Sequence, residues 1–113
     1  MNKVVYNADF GGFSISKKCA ERMAELGNQE AKELLKEESV GRFYGYIYDT
    51  PRHDPTLVQA VEELGASANG RNANLQVYSL VNGTKYLIRE YDGSESVIEP
   101  EDLNWISTKK IDF

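Results

Sequence analysis

The chain is poor in cysteine, histidine and proline, with one, one and three of them in 113 residues. A lone cysteine excludes an internal disulfide and fits a reducing compartment, and Cys19, set in an amphipathic stretch, reads as a small core residue. No run of ~18 apolar residues is present, so no membrane span is expected. Lys3 is followed by only a three-residue apolar run, too short for a signal peptide. Repeats, linkers and low-complexity tracts are absent, and no catalytic or metal-binding motif stands out. Positive charge is scarce too: 13 basic residues stand against 18 acidic ones, a net charge of −5. Residues 1–56 carry 8 basic and 9 acidic groups, residues 57–113 carry 5 and 9, so the deficit lies in the second half. Such a chain does not neutralise phosphates along a duplex, which argues against general nucleic-acid binding. It keeps a small protein soluble, and it suits a basic partner surface.

What is present points to one globular domain over residues 1–113, at 41% apolar and 27% charged residues. The most legible stretch is Pro51–Gly70. Asp54-Pro55 reads as a helix start, with the carboxylate as cap and proline at the first helical position. Leu57, Val58, Val61 and Leu64 draw one apolar stripe, and Gly65 stops the helix. Upstream, Val4-Val5-Tyr6 reads as an opening strand. Ser14 or Ser16 is placed to cap a helix carrying Cys19, Met23 and Leu26, which Gly27 ends. Asn28 is placed to cap a second helix, with Ala31, Leu34 and Leu35 turned inward. RFYGYIY (Arg42–Tyr48) predicts a strand with Phe43, Gly45 and Ile47 on one side and Tyr44, Tyr46 and Tyr48 on the other.

The last third reads as a meander. Leu75–Leu80 alternates, Asn82-Gly83 signals a hairpin into Lys85–Tyr91, and Asp92-Gly93 a second one into Glu95–Ile98. Pro100 ends that strand, Glu101-Asp102 begins a helical turn, and Trp105-Ile106 anchors the tail. The expected fold is α+β: a mainly antiparallel sheet with about three helices packed on one face. An open sheet leaves an edge to be covered or paired, so a homodimer is a reasonable expectation.

Several groupings bear on function. Gly11-Gly12, leading to Ser14 at a helix start, is either an anion site or a tight turn that lets Phe10 and Phe13 enter the core. Arg52-His53-Asp54 puts a guanidinium, the only imidazole and a carboxylate together. Adjacent residues do not face one another, however, so acid–base catalysis is not expected there, and Arg52 is the better candidate, as an anion contact. Asn69, Arg71, Asn72 and Asn74 form a polar loop. It suits a nucleotide base and phosphate, with Tyr46 or Tyr48 stacking on the ring, or it supplies backbone angles and local caps. Glu90, Asp92, Glu95 and Glu99, with Glu101 and Asp102, are spread over hairpin faces and do not converge on a cation. They read as an acidic partner surface. No catalytic set, metal site or cofactor is expected.

GGFSIS (Gly11–Ser16), R-x-D-P-x-L-V-x-A-V-E-E-L-G (Arg52–Gly65), A-N-G-x-x-A-x-L-x-V (Ala68–Val77), E-Y-D-G-x-E-x-V (Glu90–Val97) and Trp105 occur here in order. In this the chain resembles a family of small proteins encoded widely by bacteriophages. Asp9-Phe10 stand where such relatives often carry Cys-Tyr, so no thiol role follows at that position. The resemblance implies a phage accessory protein acting in the host cytoplasm, and the missing catalytic set makes a non-enzymatic role the expectation. Its expected partner is a host protein or, as the alternative, a small nucleotide-like signalling molecule that it sequesters.

Overall fold

The computed structural model describes residues 2–37 and 42–102. Strand β1 (Asn2–Asn7) is followed by helices α1 (Lys17–Glu25), α2 (Gln29–Lys36) and α3 (Pro55–Leu64). Strands β2 (Leu75–Leu80), β3 (Leu87–Tyr91) and β4 (Ser94–Ile98) follow, with short 3₁₀ turns at Gly65–Ala68 and Pro100–Asp102. The expected helical turn at Glu101-Asp102 is thus present, whereas Trp105-Ile106 lies outside the described residues. The architecture is α+β.

Each helix begins where a polar side chain takes up its orphan N–H groups. Ser16 Oγ accepts from Cys19 N, Asn28 Oδ1 from Ala31 N, and Asp54 from the amides of Thr56 and Leu57. The α3 stripe turns inward: Leu57, Val58, Ala60 and Val61 are buried, and the less buried Leu64 packs on the same cluster. Cys19, Ala20 and Met23 of α1 and Ala31 of α2 join them against Val5 and Leu75.

The strands form two antiparallel pairs rather than one sheet. β1 pairs with β2, with Val5 opposite Val77, and β3 pairs with β4, with Ile88 opposite Val97. Successive residues of a strand point to opposite faces, which divides the core in two. Val5 and Leu75 face the helices, whereas Val4 and Leu80 meet Val97 of the β3–β4 hairpin in a second, smaller cluster with Tyr6, Tyr78 and Tyr86.

Two expectations are corrected. Asn82-Gly83 makes a turn closed by Thr84 N donating to Val81 O (3.0 Å), but not a hairpin. Of the two central residues only Gly83 has positive φ (82°), as in a type II turn, whose twist splays the flanking strands; β2 takes β1 as its partner instead. At Asp92-Gly93 both central φ angles are positive (49° and 87°), the geometry a two-residue hairpin requires, and that hairpin forms. The second correction is residues 42–48, which run extended but join neither sheet. Phe43 and Ile47 pack on the core as expected. The backbone is held instead by Ile15 N donating to Gly45 O (2.9 Å), and its end by Glu30. That carboxylate accepts from the amides of Tyr48, Asp49 and Thr50 at 2.7–2.9 Å.

Candidate functional site: a cleft floored by backbone

Residues 14–16 run between two other segments. Ile15 N bonds Gly45 O on one side, while on the other Gly70 N donates to Ser14 O (3.0 Å) and Ser16 N to Ala68 O (2.8 Å). Glycine is required at both contacts. A Cβ on Gly45 would strike the carbonyl of Ile15, and one on Gly70 would strike Ser14. Three stretches of main chain therefore touch, and they form the floor of a cleft of about 670 Å³. Ligand pockets commonly span about 300–1,000 Å³, so the space fits a small organic molecule.

Of the residues singled out in the sequence, this cleft gathers Ser14, Tyr46, Asn69 and Arg71. Ser14 is buried, and Tyr46 is half exposed. Asn69 has a structural task as well, since its Oδ1 accepts from Leu75 N at 2.7 Å and fixes the loop into β2. Lys17, Arg42 and Tyr44 line the cleft too, and sequence reasoning did not single them out as a site. A signal for two of them was available: Arg42, Tyr44 and Tyr46 share one parity in RFYGYIY and so project to the same side of an extended chain. The cleft is lined by three basic side chains and, among the described residues, by no carboxylate, although the chain as a whole is acidic. Lys3, Arg22 and Arg52, outside the cleft lining, sit in ion pairs.

The remaining candidates lie elsewhere. Gly11 and Gly12 border a shallow depression with Glu90, Asp92 and Gly93. Gly11 is pressed against the Asn72 backbone, and Gly93 against Phe10 and Gly12. The glycine pair serves close chain approach beside two carboxylates, which opposes an anion there. Phe10 stays exposed, so only Phe13 of the two flanking rings packs against the core.

Arg52 is fully engaged. It makes a bidentate pair with Glu95 at 2.5 and 2.9 Å, and its guanidinium lies 3.6 Å above the Phe13 ring. Tyr48 is 85% exposed and outside the cleft lining. The acidic surface is also corrected: Glu95 is buried, where it additionally accepts from Asn7 N (2.9 Å), and half-buried Glu99 accepts from the Tyr78 hydroxyl (2.7 Å). Glu90 and Asp92 remain exposed at the hairpin tip, with Glu90 accepting from Gly93 N.

The imidazole and the thiol are separated. His53 is exposed and its Nδ1 meets the Tyr86 hydroxyl at 2.7 Å, while Cys19 lies in the helical core. Burial pushes the Cys19 thiol up to about 12, far from a reactive thiolate. Among the described residues no cluster of three or more His, Cys, Asp or Glu side chains is placed to hold a metal ion. No helix among them is long and apolar enough to cross a membrane.

Fold and cleft together define an α+β protein with a basic, tyrosine-walled concavity on an acidic body. No family model matches the sequence, and no curated protein or solved structure matches it significantly.

Proposed function

We propose that this chain is a non-enzymatic bacteriophage accessory protein that works by binding a host component. The component the geometry suits best is a small nucleotide-like molecule, held in the cleft and so withdrawn from the host. The observation that carries this reading is the convergence of Ser14, Tyr46, Asn69 and Arg71 on one concavity whose charged side chains, among the described residues, are basic. A tyrosine face takes a flat ring, a guanidinium takes an anionic group, and backbone and hydroxyl groups orient what lies between. The phage setting rests on the sequence resemblance, and action in the host cytoplasm follows from it.

Thermal unfolding with a panel of mononucleotides, cyclic nucleotides and ADP-ribose tests the proposal. A ligand at 100 times its dissociation constant adds about 2.7 kcal/mol of stability. A panel in which no member raises the midpoint removes the reading.

A second reading, docking of a host protein, is favoured by Tyr44, Tyr46 and Tyr48, which stand 61%, 50% and 85% exposed along one extended segment. Tyrosine is enriched at interfaces, where it contributes large area at low entropic cost. Tyr48→Ala, outside the cleft lining, separates the two readings. It should weaken a protein complex at least tenfold and leave nucleotide binding unchanged.

A further inference from the structure

The positive charge of the cleft enters from both of its sides. Arg42 belongs to the segment bonded to Ile15 through Gly45, and Arg71 follows Gly70, which is bonded to Ser14 on the opposite edge of 14–16. Both arginines are exposed, and neither has an ion pair among the described residues. A guanidinium stays charged at any ordinary pH, and its planar fork matches the oxygens of a phosphate. Two such groups around one concavity repel each other, and an anion held between them removes that repulsion. Beside Arg42 on the same segment, Tyr44 and Tyr46 line the same space, and a tyrosine ring is suited to stack on a base.

Resting on the reading of this cleft as a ligand site, we infer that its ligand is a nucleoside phosphate. Arg42 and Arg71 together grip the phosphate, and the base lies against Tyr44 or Tyr46. The volume of about 670 Å³ suits one or two nucleotide units rather than a strand. The net charge of −5 would repel the rest of a polymer. Arg42 is then the specificity residue, because it joins the aromatic wall to the anion clamp.

Isothermal titration of the full chain with AMP, GMP, CMP, UMP, ADP, adenosine and inorganic phosphate is the test. At least one nucleotide should bind, with its nucleoside and phosphate alone each tenfold or more weaker. Arg42→Ala and Arg71→Ala should each weaken that nucleotide at least tenfold. Arg42→Lys should recover only part of the loss, because it restores charge without the fork. Arg89→Ala, which removes an exposed cation on β3, should change nothing. Equal binding of adenosine and AMP overturns the clamp but leaves the cleft a ligand site, as does an Arg89→Ala loss as large as that of Arg42→Ala. Phosphate binding as tightly as any nucleotide overturns the role of the tyrosines. Binding of none of these probes overturns the clamp, and the thermal panel with cyclic nucleotides and ADP-ribose then decides whether the cleft reading falls with it.

Discussion

Glu95 changes role between sequence and structure. In the alternating run after Asp92-Gly93 it looks like one more solvated carboxylate. In the fold it is 8% exposed, paired with Arg52, and bonded to the amide of Asn7. Removing one member of a buried pair strands the other, a loss of roughly 3–5 kcal/mol when both are fully enclosed. The Arg52 side chain is 23% exposed, so water repays part of this and about 2–4 kcal/mol is the expected loss for Glu95→Ala by urea unfolding. The partner lies 43 residues away, a distance that no local pattern encodes. Cys19 was legible, because its place in an apolar stripe foretold burial. Its thiol, raised by desolvation to about 12, should resist iodoacetamide at about pH 8 in the native protein and react at once in denaturant. The sign of the linkage follows from the direction of the shift. The buried neutral thiol contributes stability that is complete below its ordinary pKa of 9.0 and is lost as pH rises from there toward about 12.

Among elements, the helices were the most readable. Caps and stripes act within one or two turns, so Ser16, Asn28, Asp54 and Gly65 announce helix ends whatever surrounds them. Composition and alternation predict a strand over 42–48, and Phe43 and Ile47 pack inward as that alternation requires. β-propensity describes fit to a half-buried surface and says nothing of whether a partner ladder is on offer. Here Gly45 accepts a single backbone hydrogen bond from Ile15 in place of a ladder, and the exit from the segment hangs on Glu30 of α2. Burial alone would raise the Glu30 pKa, but hydrogen bonds from the amides of Asp49, Tyr48 and Thr50 and from the Thr50 hydroxyl outweigh it and lower the pKa. A lowered carboxylate pKa contributes stability that is present above the ordinary value of 4.5 and is lost as pH falls through the folded one. The unfolding midpoint of the native chain should therefore drop between neutral pH and about pH 3 more steeply than that of Glu30→Gln. Parallel curves for the two proteins would show that Glu30 does not hold the segment.

In the whole molecule, the β1–β2 pair is a middle layer between a larger helical core and a smaller cluster under the β3–β4 hairpin. The smaller cluster rests on Val4, Leu80 and Val97, and polar ties from Glu95, Asn7 and His53–Tyr86 reinforce it. A thinly packed unit opens first, because local stability follows local burial. Val97→Ala should cost about 1–3 kcal/mol. Hydrogen exchange should show the loss at the amides of β3 and β4 while Leu57 and Val61 of α3 keep their protection. Uniform loss through α3 would mean that the two cores unfold as one.

The amino-acid sequence by itself determined the three helices with their caps, the Asp92-Gly93 hairpin, the α+β class, and the acidic balance that disfavours nucleic-acid strands. Each of these depends on residues within a few positions of one another or on composition alone. Tertiary structure decided that β2 pairs with β1, that Glu95 and Arg52 leave the surface, and that Arg42, Tyr46 and Arg71 share a cleft. Those outcomes depend on contacts between residues tens of positions apart, where closing the chain is repaid only by the packing of the whole.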